Sequence, residues 1–408
     1  MTAWTLRSTE TFGLARKQRA EGLTSWPYHA DAVQVACDSR PELPVLCFSP
    51  EQLTRNAEAF LTKFPGEVSY AVKANAAEDV VRTIAEAGVQ VFDVASTVEM
   101  ATVSAICATP VFHYHNPVKS RVEIYTAFNS YGCQRFAADC QQEIDKIAEV
   151  TGGADGIEIA VRFRLPAHGA SAHDFSTKFG ATVPEAVDLL KYASARGFCC
   201  VLTFHPGSQC GDPAAWRRHI EAAGDIARRA GVELRSLNVG GGFPARYASE
   251  QVPELDAFFA EISDAVTQAF GEPGAPRLEC EPGRGMVANS QSVLTRVKLV
   301  KAERGEVFVN DGIYGALMEI SQTPEIVGPH RAIRIDGDFS DEWNTWIIYG
   351  PTCDPLDMLP VKLSLPADIA EGDFIEFGTV GAYGTATATG FNGYGQFAQA
   401  CVRKVLSI

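Results

Sequence analysis

Phe198-Cys199-Cys200-Val201-Leu202-Thr203-Phe204-His205-Pro206-Gly207-Ser208 is the stretch on which the fold reading turns. Residues 200–204 are apolar and rich in strand formers, and a Pro-Gly pair closes them. Before them, residues 184–196 place Val187, Leu190 and Ala193 at the spacing of one helix face. After them, residues 214–230 read as a second helix and residues 236–239 as the next strand. The same alternation extends from about residue 44 to residue 283, with β-rich runs at 45–48, 68–72, 91–94, 111–114, 157–163, 200–204, 236–239 and 277–281. Eight repeats of strand and helix indicate a parallel α/β fold, and eight units favour a (β/α)8 TIM-like barrel over an open sheet. Barrels of this kind carry their chemistry at the C-terminal ends of the strands. Lys73, His205, Gly240 to Gly242 and Glu281 to Arg284 each directly follow a strand-like run, so they are expected to converge on one face.

After Gly285 the texture changes to strands and turns, at 293–300, 307–309, 346–349, 374–377 and 396–402, which reads as an all-β domain (a β-barrel or sandwich). The first 40 residues are not barrel-like and are expected to add a strand or a helix to it. The division expected is therefore 44–283 for the barrel, with 1–43 and 284–408 forming the β-domain.

A chain of 408 residues exceeds the size at which one core stops growing, consistent with two domains. Fifty acidic against 35 basic side chains give a net charge of −15, which argues against nucleic acid or an anionic membrane as partner and is compatible with a cationic small molecule. No apolar run approaches the ~20 residues of a membrane span. Residues 1–19 lack the layout of a signal peptide. Eleven cysteines without CxxC spacing point to reduced thiols in a cytoplasmic protein, with neither a disulfide framework nor a metal site.

Five segments carry chemistry. In Ser69-Tyr70-Ala71-Val72-Lys73-Ala74-Asn75 a lysine closes an apolar run, where it either snorkels outward or is held as an amine of lowered pKa. The second state suits imine formation with a carbonyl cofactor such as pyridoxal phosphate. Leu237-Asn238-Val239-Gly240-Gly241-Gly242 ends a strand in three glycines, which let backbone N–H groups approach a phosphate; a tight turn is the bland alternative. Glu281-Pro282-Gly283-Arg284 sets a carboxylate and a phosphate-matching guanidinium three residues apart, unless they form a surface ion pair in a turn. His205 precedes Ser208 by three residues at another strand end. Beyond the barrel, Gly350-Pro351-Thr352-Cys353-Asp354-Pro355 places a thiol beside an acid in a loop where packing does not require it.

Together these segments resemble the fold type III pyridoxal-phosphate-dependent decarboxylases of ornithine, lysine, arginine and diaminopimelate, closest to the ornithine/lysine branch, over about residues 44–402. The resemblance implies an N-terminal barrel, a C-terminal β-domain and a head-to-tail homodimer with two shared sites. It implies that Lys73 forms the internal aldimine with pyridoxal 5'-phosphate and that His205 stacks on the ring. Ser208, Gly240, Gly241, Gly242, Arg284 and Tyr383 hold the phosphate, Glu281 pairs with the ring nitrogen, and Asp93 lines the pocket. Arg162 and Lys178 match supporting positions. Cys353 returns a proton and Asp354 binds substrate, both in the partner's site. A carboxylate at the ring nitrogen keeps it protonated, so the ring accepts the electron pair left by departing CO₂.

The resemblance also implies a second acid for the distal ammonium at about Gln322 or Thr323, and neither is acidic. Glu319, one helical turn before Thr323, is the expected substitute. The activity expected is decarboxylation of a cationic L-amino acid to its amine, as in polyamine synthesis, with lysine or ornithine leading and an atypical cationic amino acid as the alternative. A racemase with the same barrel is disfavoured by Glu281, since that family places arginine there. A non-catalytic regulator is disfavoured by the retention of the cofactor contacts.

Overall fold

Residues 28–166, 171–173, 178–248, 251–271, 274–324 and 326–408 are described by the computed structural model, and the reading of residues 1–19 lies outside them. Eight parallel strands close into a barrel: Glu67–Ala71, Val91–Val94, Val111–Tyr114, Arg135–Ala138, Glu158–Arg162, Cys199–Thr203, Ser236–Asn238 and Arg277–Cys280. Closure runs through the seventh strand, whose Leu237 pairs with Leu202 on one side and Leu278 on the other. The strands are buried on both faces; all four residues of Val91–Val94 and of Arg135–Ala138 are inaccessible. Helices Pro50–Lys63, Glu78–Glu86, Thr97–Ser104, Arg121–Tyr131, Gln141–Thr151, Val183–Ala195, Ala214–Ala230 and Leu255–Phe270 accompany them. Their starts are written in sequence: Ser120 with Glu123, and Thr182 with Glu185, form capping boxes.

Two strand assignments differ from the sequence expectation. Val45–Phe48 is not a barrel strand: it pairs antiparallel with Gln291–Lys301 and parallel with Ala398–Val402 in the second sheet. The strand that completes the barrel is instead Arg135–Ala138, fourth in chain order, which Arg135 and two alanines disguise. Hydrophobic pattern identifies a buried strand but not the sheet that takes it up.

The second sheet has nine strands, in the order Tyr28–His29, Ala398–Val402, Val45–Phe48, Gln291–Lys301, Glu306–Val309, Trp343–Tyr349, Leu363–Pro366, with Phe374–Phe377 joining Gln291–Lys301 to His330–Ile333. Helix Ala32–Ser39 packs Ala32, Val35 and Ala36 against Val45, Cys47 and Leu294 of this sheet. Residues near the start of the described chain thus add both a strand and a helix to it. Among the described residues no helix is long and apolar enough to cross a membrane.

One aromatic cluster anchors the loop that matters most. Phe243, 1% exposed, stacks on Trp216 at 4.9 Å and meets Phe60 edge-on at 5.5 Å. Trp216 donates its Nε1–H to the Val239 carbonyl at 3.1 Å. Burial of a side chain of this size contributes on the order of 2–3 kcal/mol, and it fixes Gly240 to Gly242 immediately before Phe243.

Candidate functional site

The site lies at the C-terminal mouth of the barrel and is built strand by strand. Lys73 sits in a single 3-10 turn, Val72–Ala74, that ends the first strand. Val72 and Ala74 are fully buried, whereas the Lys73 side chain is 43% accessible, opening into the cleft. Asn75 locks this turn: its amide donates to the Gly381 carbonyl at 2.8 Å and to Gln291 Oε1 at 3.1 Å, and its Oδ1 accepts from Ala77 N–H at 3.1 Å. Tyr383 N–H donates to the Ala74 carbonyl at 2.8 Å, so the β-domain closes one side of the turn.

Lys73 Nζ stands 4.0 Å from Asp93 Oδ2. Burial lowers the amine's pKa, but Asp93, the Tyr383 phenol and Glu281 together outweigh it, so the pKa is raised. Of the two sequence expectations for this lysine, the raised pKa and the accessible side chain fit the outward-reaching one rather than an amine of lowered pKa. Burial and the Glu281 charge push the Asp93 carboxyl upward. Glu281 is pulled downward despite its burial, through His115, Lys73 and His205, and stays ionised.

Glu281 is held from two directions. Asn238 Nδ2 donates to its Oε1 at 2.6 Å, and His115 Nδ1 contacts the same oxygen. His205 is partly buried, and its pKa falls well below the usual value through desolvation and the nearby Lys73 and Arg162 charges. Its Nδ1 accepts the Gly207 N–H at 3.1 Å, which places the neutral ring's proton on Nε2.

The anion cradle is formed by the seventh and eighth strand ends. A Cβ at Gly241 would lie 2.6 Å from the Glu281 carbonyl oxygen and 3.3 Å from His205 Nε2; at Gly240 and Gly242 it would strike the carbonyls of Phe204 and Gly207. Only glycine fits there, with φ of +70° at Gly240 and +95° at Gly242. Arg284 points its Nε and Nη2 at Ser208 Oγ, 3.4 Å from each, and its Nη1 at the Tyr247 hydroxyl at 2.7 Å. Its guanidinium carbon lies 5.1 Å from the centre of the Tyr383 ring. Gln209 and Tyr383, beside this cradle, both adopt left-handed φ, +55° and +56°, a strain that surrounding contacts sustain. Gln209 does so while its amide brackets the backbone of Ala245 at 2.6 and 2.9 Å.

The remaining expected residues are placed elsewhere. Glu319, in helix Met318–Gln322, forms a two-pronged ion pair with Arg284 (2.9 Å to Nη1) and is thus engaged at the cradle rather than open to a substrate cation. Thr323 caps that helix and is buried, next to Gln322. Cys353 is exposed, and its N–H donates to Asn392 Oδ1 at 3.0 Å. Asp354 accepts from the Tyr314 hydroxyl, which holds its carboxyl below the usual range, and Tyr314 lies 4.9 Å from the Phe391 ring. No contact between this loop and the Lys73 cluster is recorded among the described residues. Arg162 faces Glu281 and Asp93, with its pKa lowered by burial against their opposing charges, and its guanidinium lies 5.7 Å from the Phe179 ring; Lys178 lies over the same ring at 4.9 Å. The sequence reading passed over His115, Asn238 and Tyr247. His115 follows the third strand directly, so the strand-end rule alone would have picked it out.

A phosphate-accepting guanidinium with a hydroxyl, three glycines that admit no Cβ, an ionised buried carboxylate and a lysine at one barrel mouth fit pyridoxal phosphate. The family model for the pyridoxal-dependent decarboxylases, pyridoxal binding domain, matches residues 51–288. The chain is 32% identical over 361 residues to the lysine/ornithine decarboxylase of Selenomonas ruminantium, covering 86% of this chain and 87% of that protein. It is 30% identical over 356 residues to antizyme inhibitor 2 of Xenopus laevis, covering 80% and 74%. The crystal structure of the Vibrio vulnificus lysine/ornithine decarboxylase complexed with putrescine superimposes with a TM-score of 0.78 at 27% identity, over 91% of this chain and 97% of that one. The chain belongs to the pyridoxal-dependent decarboxylases, in the ornithine/lysine-like branch. It is an amino-acid decarboxylase, and its cofactor is pyridoxal 5'-phosphate.

Proposed function

We propose that this enzyme decarboxylates a cationic L-amino acid, lysine or ornithine, to the corresponding diamine in a homodimer with shared sites. The observation that carries this reading is the convergence of Lys73, Asp93, Glu281 and the Arg284–Ser208–glycine cradle on one mouth. Bound pyridoxal phosphate supplies the aldehyde that takes up the substrate amine and the ring that accepts the electron pair released with CO₂.

The chain's own residues do the rest. Arg284, Ser208 and the backbone of Gly240 to Gly242 bind the phosphate, and Tyr383 closes over it. Glu281, kept ionised, holds a proton at the ring nitrogen. His205, neutral and partly buried, would cover one face of the ring. Lys73 would hold the cofactor through its amine, with the Asp93 carboxylate 4.0 Å away to balance its charge. In the dimer, Cys353 from the partner returns a proton to the α-carbon, while Asp354, oriented by Tyr314, holds the distal ammonium. The barrel unit then runs from helix Pro50–Lys63 to about Arg284, and the sheet takes up the segments on either side. The Vibrio vulnificus structure with putrescine supports a diamine-sized product.

Thr323 where an acid is expected, together with an engaged Glu319, leaves Asp354 as the acid for the distal cation, which favours the second reading of an atypical cationic amino acid. CO₂ release from lysine, ornithine, arginine, diaminopimelate and other cationic amino acids separates the two. Turnover of lysine or ornithine above the others is expected, and the visible absorption of the loaded protein is expected to vanish in Lys73→Ala. A purified protein that neither binds pyridoxal phosphate nor releases CO₂ from any of them would falsify the reading.

A further inference from the structure

His115 is a buried ionisable side chain at the barrel mouth to which the proposed reaction gives no role. It is 8% exposed. Its Nδ1 contacts Glu281 Oε1 and lies 3.5 Å from Asp93 Oδ1, and its buried Nε2 has no hydrogen-bond partner among the described residues. The three donor atoms of Asp93, His115 and Glu281 lie within 4.8 Å of one another. Two carboxylates facing one nitrogen mean that Nδ1 carries a proton, because two acceptors cannot share a hydrogen bond without one.

The consequence concerns Glu281. Its Oε1 is saturated by two donors, Nδ1–H of His115 and Nδ2–H of Asn238. Oε2 is the oxygen left to turn toward the ring nitrogen. We propose that His115 is a positioning residue for the cofactor ring: it fixes the orientation of Glu281 and holds it ionised beside a second buried carboxylate. This rests on the decarboxylase reading. The charged or titratable groups that face Glu281 come from every neighbouring strand end: Lys73 after the first, Asp93 on the second, His115 after the third, Arg162 on the fifth and His205 after the sixth. Of these, His115 exerts the largest downward pull on the Glu281 pKa, against burial. Without the imidazole the burial penalty is less opposed, so Glu281 takes up its proton at higher pH.

Two measurements test this. In the cofactor-free protein, histidine-selective 15N NMR is expected to show, besides the Nδ1–H that His219 donates to the Ala215 carbonyl, an exchange-protected Nδ1–H that is missing in His115→Gln and shifted in Glu281→Gln. In the loaded protein, the acidic limb of the kcat profile and of the visible-band titration is expected to move up by about one pH unit in His115→Ala, about a five-fold loss at the old midpoint. His115→Gln, which keeps an amide donor, is expected to move it less, and KM is expected to change by less than about two-fold in both. If wild type loads and turns over, and Lys73→Ala removes its band, while both His115 variants leave the titration unmoved, the role of His115 is overturned and the enzyme reading stands. If wild type itself takes up no pyridoxal phosphate, the parent reading fails and this proposal with it. If the resonance missing in His115→Gln ignores Glu281→Gln, the pairing is overturned in either case.

Discussion

At the scale of the residue, Gly241 is the cradle position where an added methyl group meets both Glu281 and His205. A methyl group there meets the Glu281 carbonyl oxygen at 2.6 Å and His205 Nε2 at 3.3 Å, and neither is the free end of a flexible chain. Gly241→Ala therefore displaces the backbone that carries the ring-facing carboxylate. Overpacking of about 1–3 kcal/mol corresponds to a loss of pyridoxal phosphate affinity on the order of 10- to 100-fold. Fluorescence titration checks this, and an unchanged dissociation constant contradicts the cradle. Residues of this kind were legible in sequence because they occur in short runs at strand ends, with chemistry visible in the run itself: Lys73, His205, Gly240 to Gly242, Glu281 and Arg284. His115 was legible as a strand-end residue but not as the partner of Glu281, which lies 166 positions away with nothing local to Tyr114-His115-Asn116 to mark the pairing. The protonation state of Lys73 was left open for the same reason. Its burial is a local property, whereas Asp93, Tyr383 and Glu281 come from three other parts of the chain.

At the scale of the element, the Val72–Ala74 turn depends on a seam between barrel and sheet rather than on its own three residues. Asn75, 2% exposed, carries much of that seam through Gly381, Gln291 and Ala77. Asn75→Ala leaves two buried acceptors, the Gly381 carbonyl and Gln291 Oε1, short of a donor. It is expected to lower stability by about 2–3 kcal/mol. A urea midpoint that falls without a change in slope, accompanied by weaker cofactor retention, is the expected result. A midpoint within error of wild type contradicts it. The elements themselves were readable where β-branched runs or capping residues announce them; helix Ala214–Ala230 agrees with the sequence reading at both ends. Arg135–Ala138 escaped because its residues favour no strand, and barrel closure recruits it regardless.

At the scale of the whole molecule, Cys353 and Asp354 occupy a loop braced by Asn392 and Tyr314 on the sheet side of the chain. If their place is in a neighbour's site, Lys73→Ala and Cys353→Ala proteins, each nearly inactive, complement when mixed. Random exchange makes half of the dimers mixed, each with one intact site, so recovery of about a quarter of wild-type activity is expected. Dilution and mixing followed by the CO₂ assay checks this, and no recovery despite proven subunit exchange contradicts shared sites.

The placement of Val45–Phe48 has one more consequence, for biosynthesis. This segment leaves the ribosome before any barrel strand, yet its neighbours on either side are Gln291–Lys301 and Ala398–Val402. Throughout translation of the intervening region it waits as an open, apolar edge. A nascent chain stalled after residue 290 is expected to have formed most of the barrel while still needing a chaperone for its earliest strand.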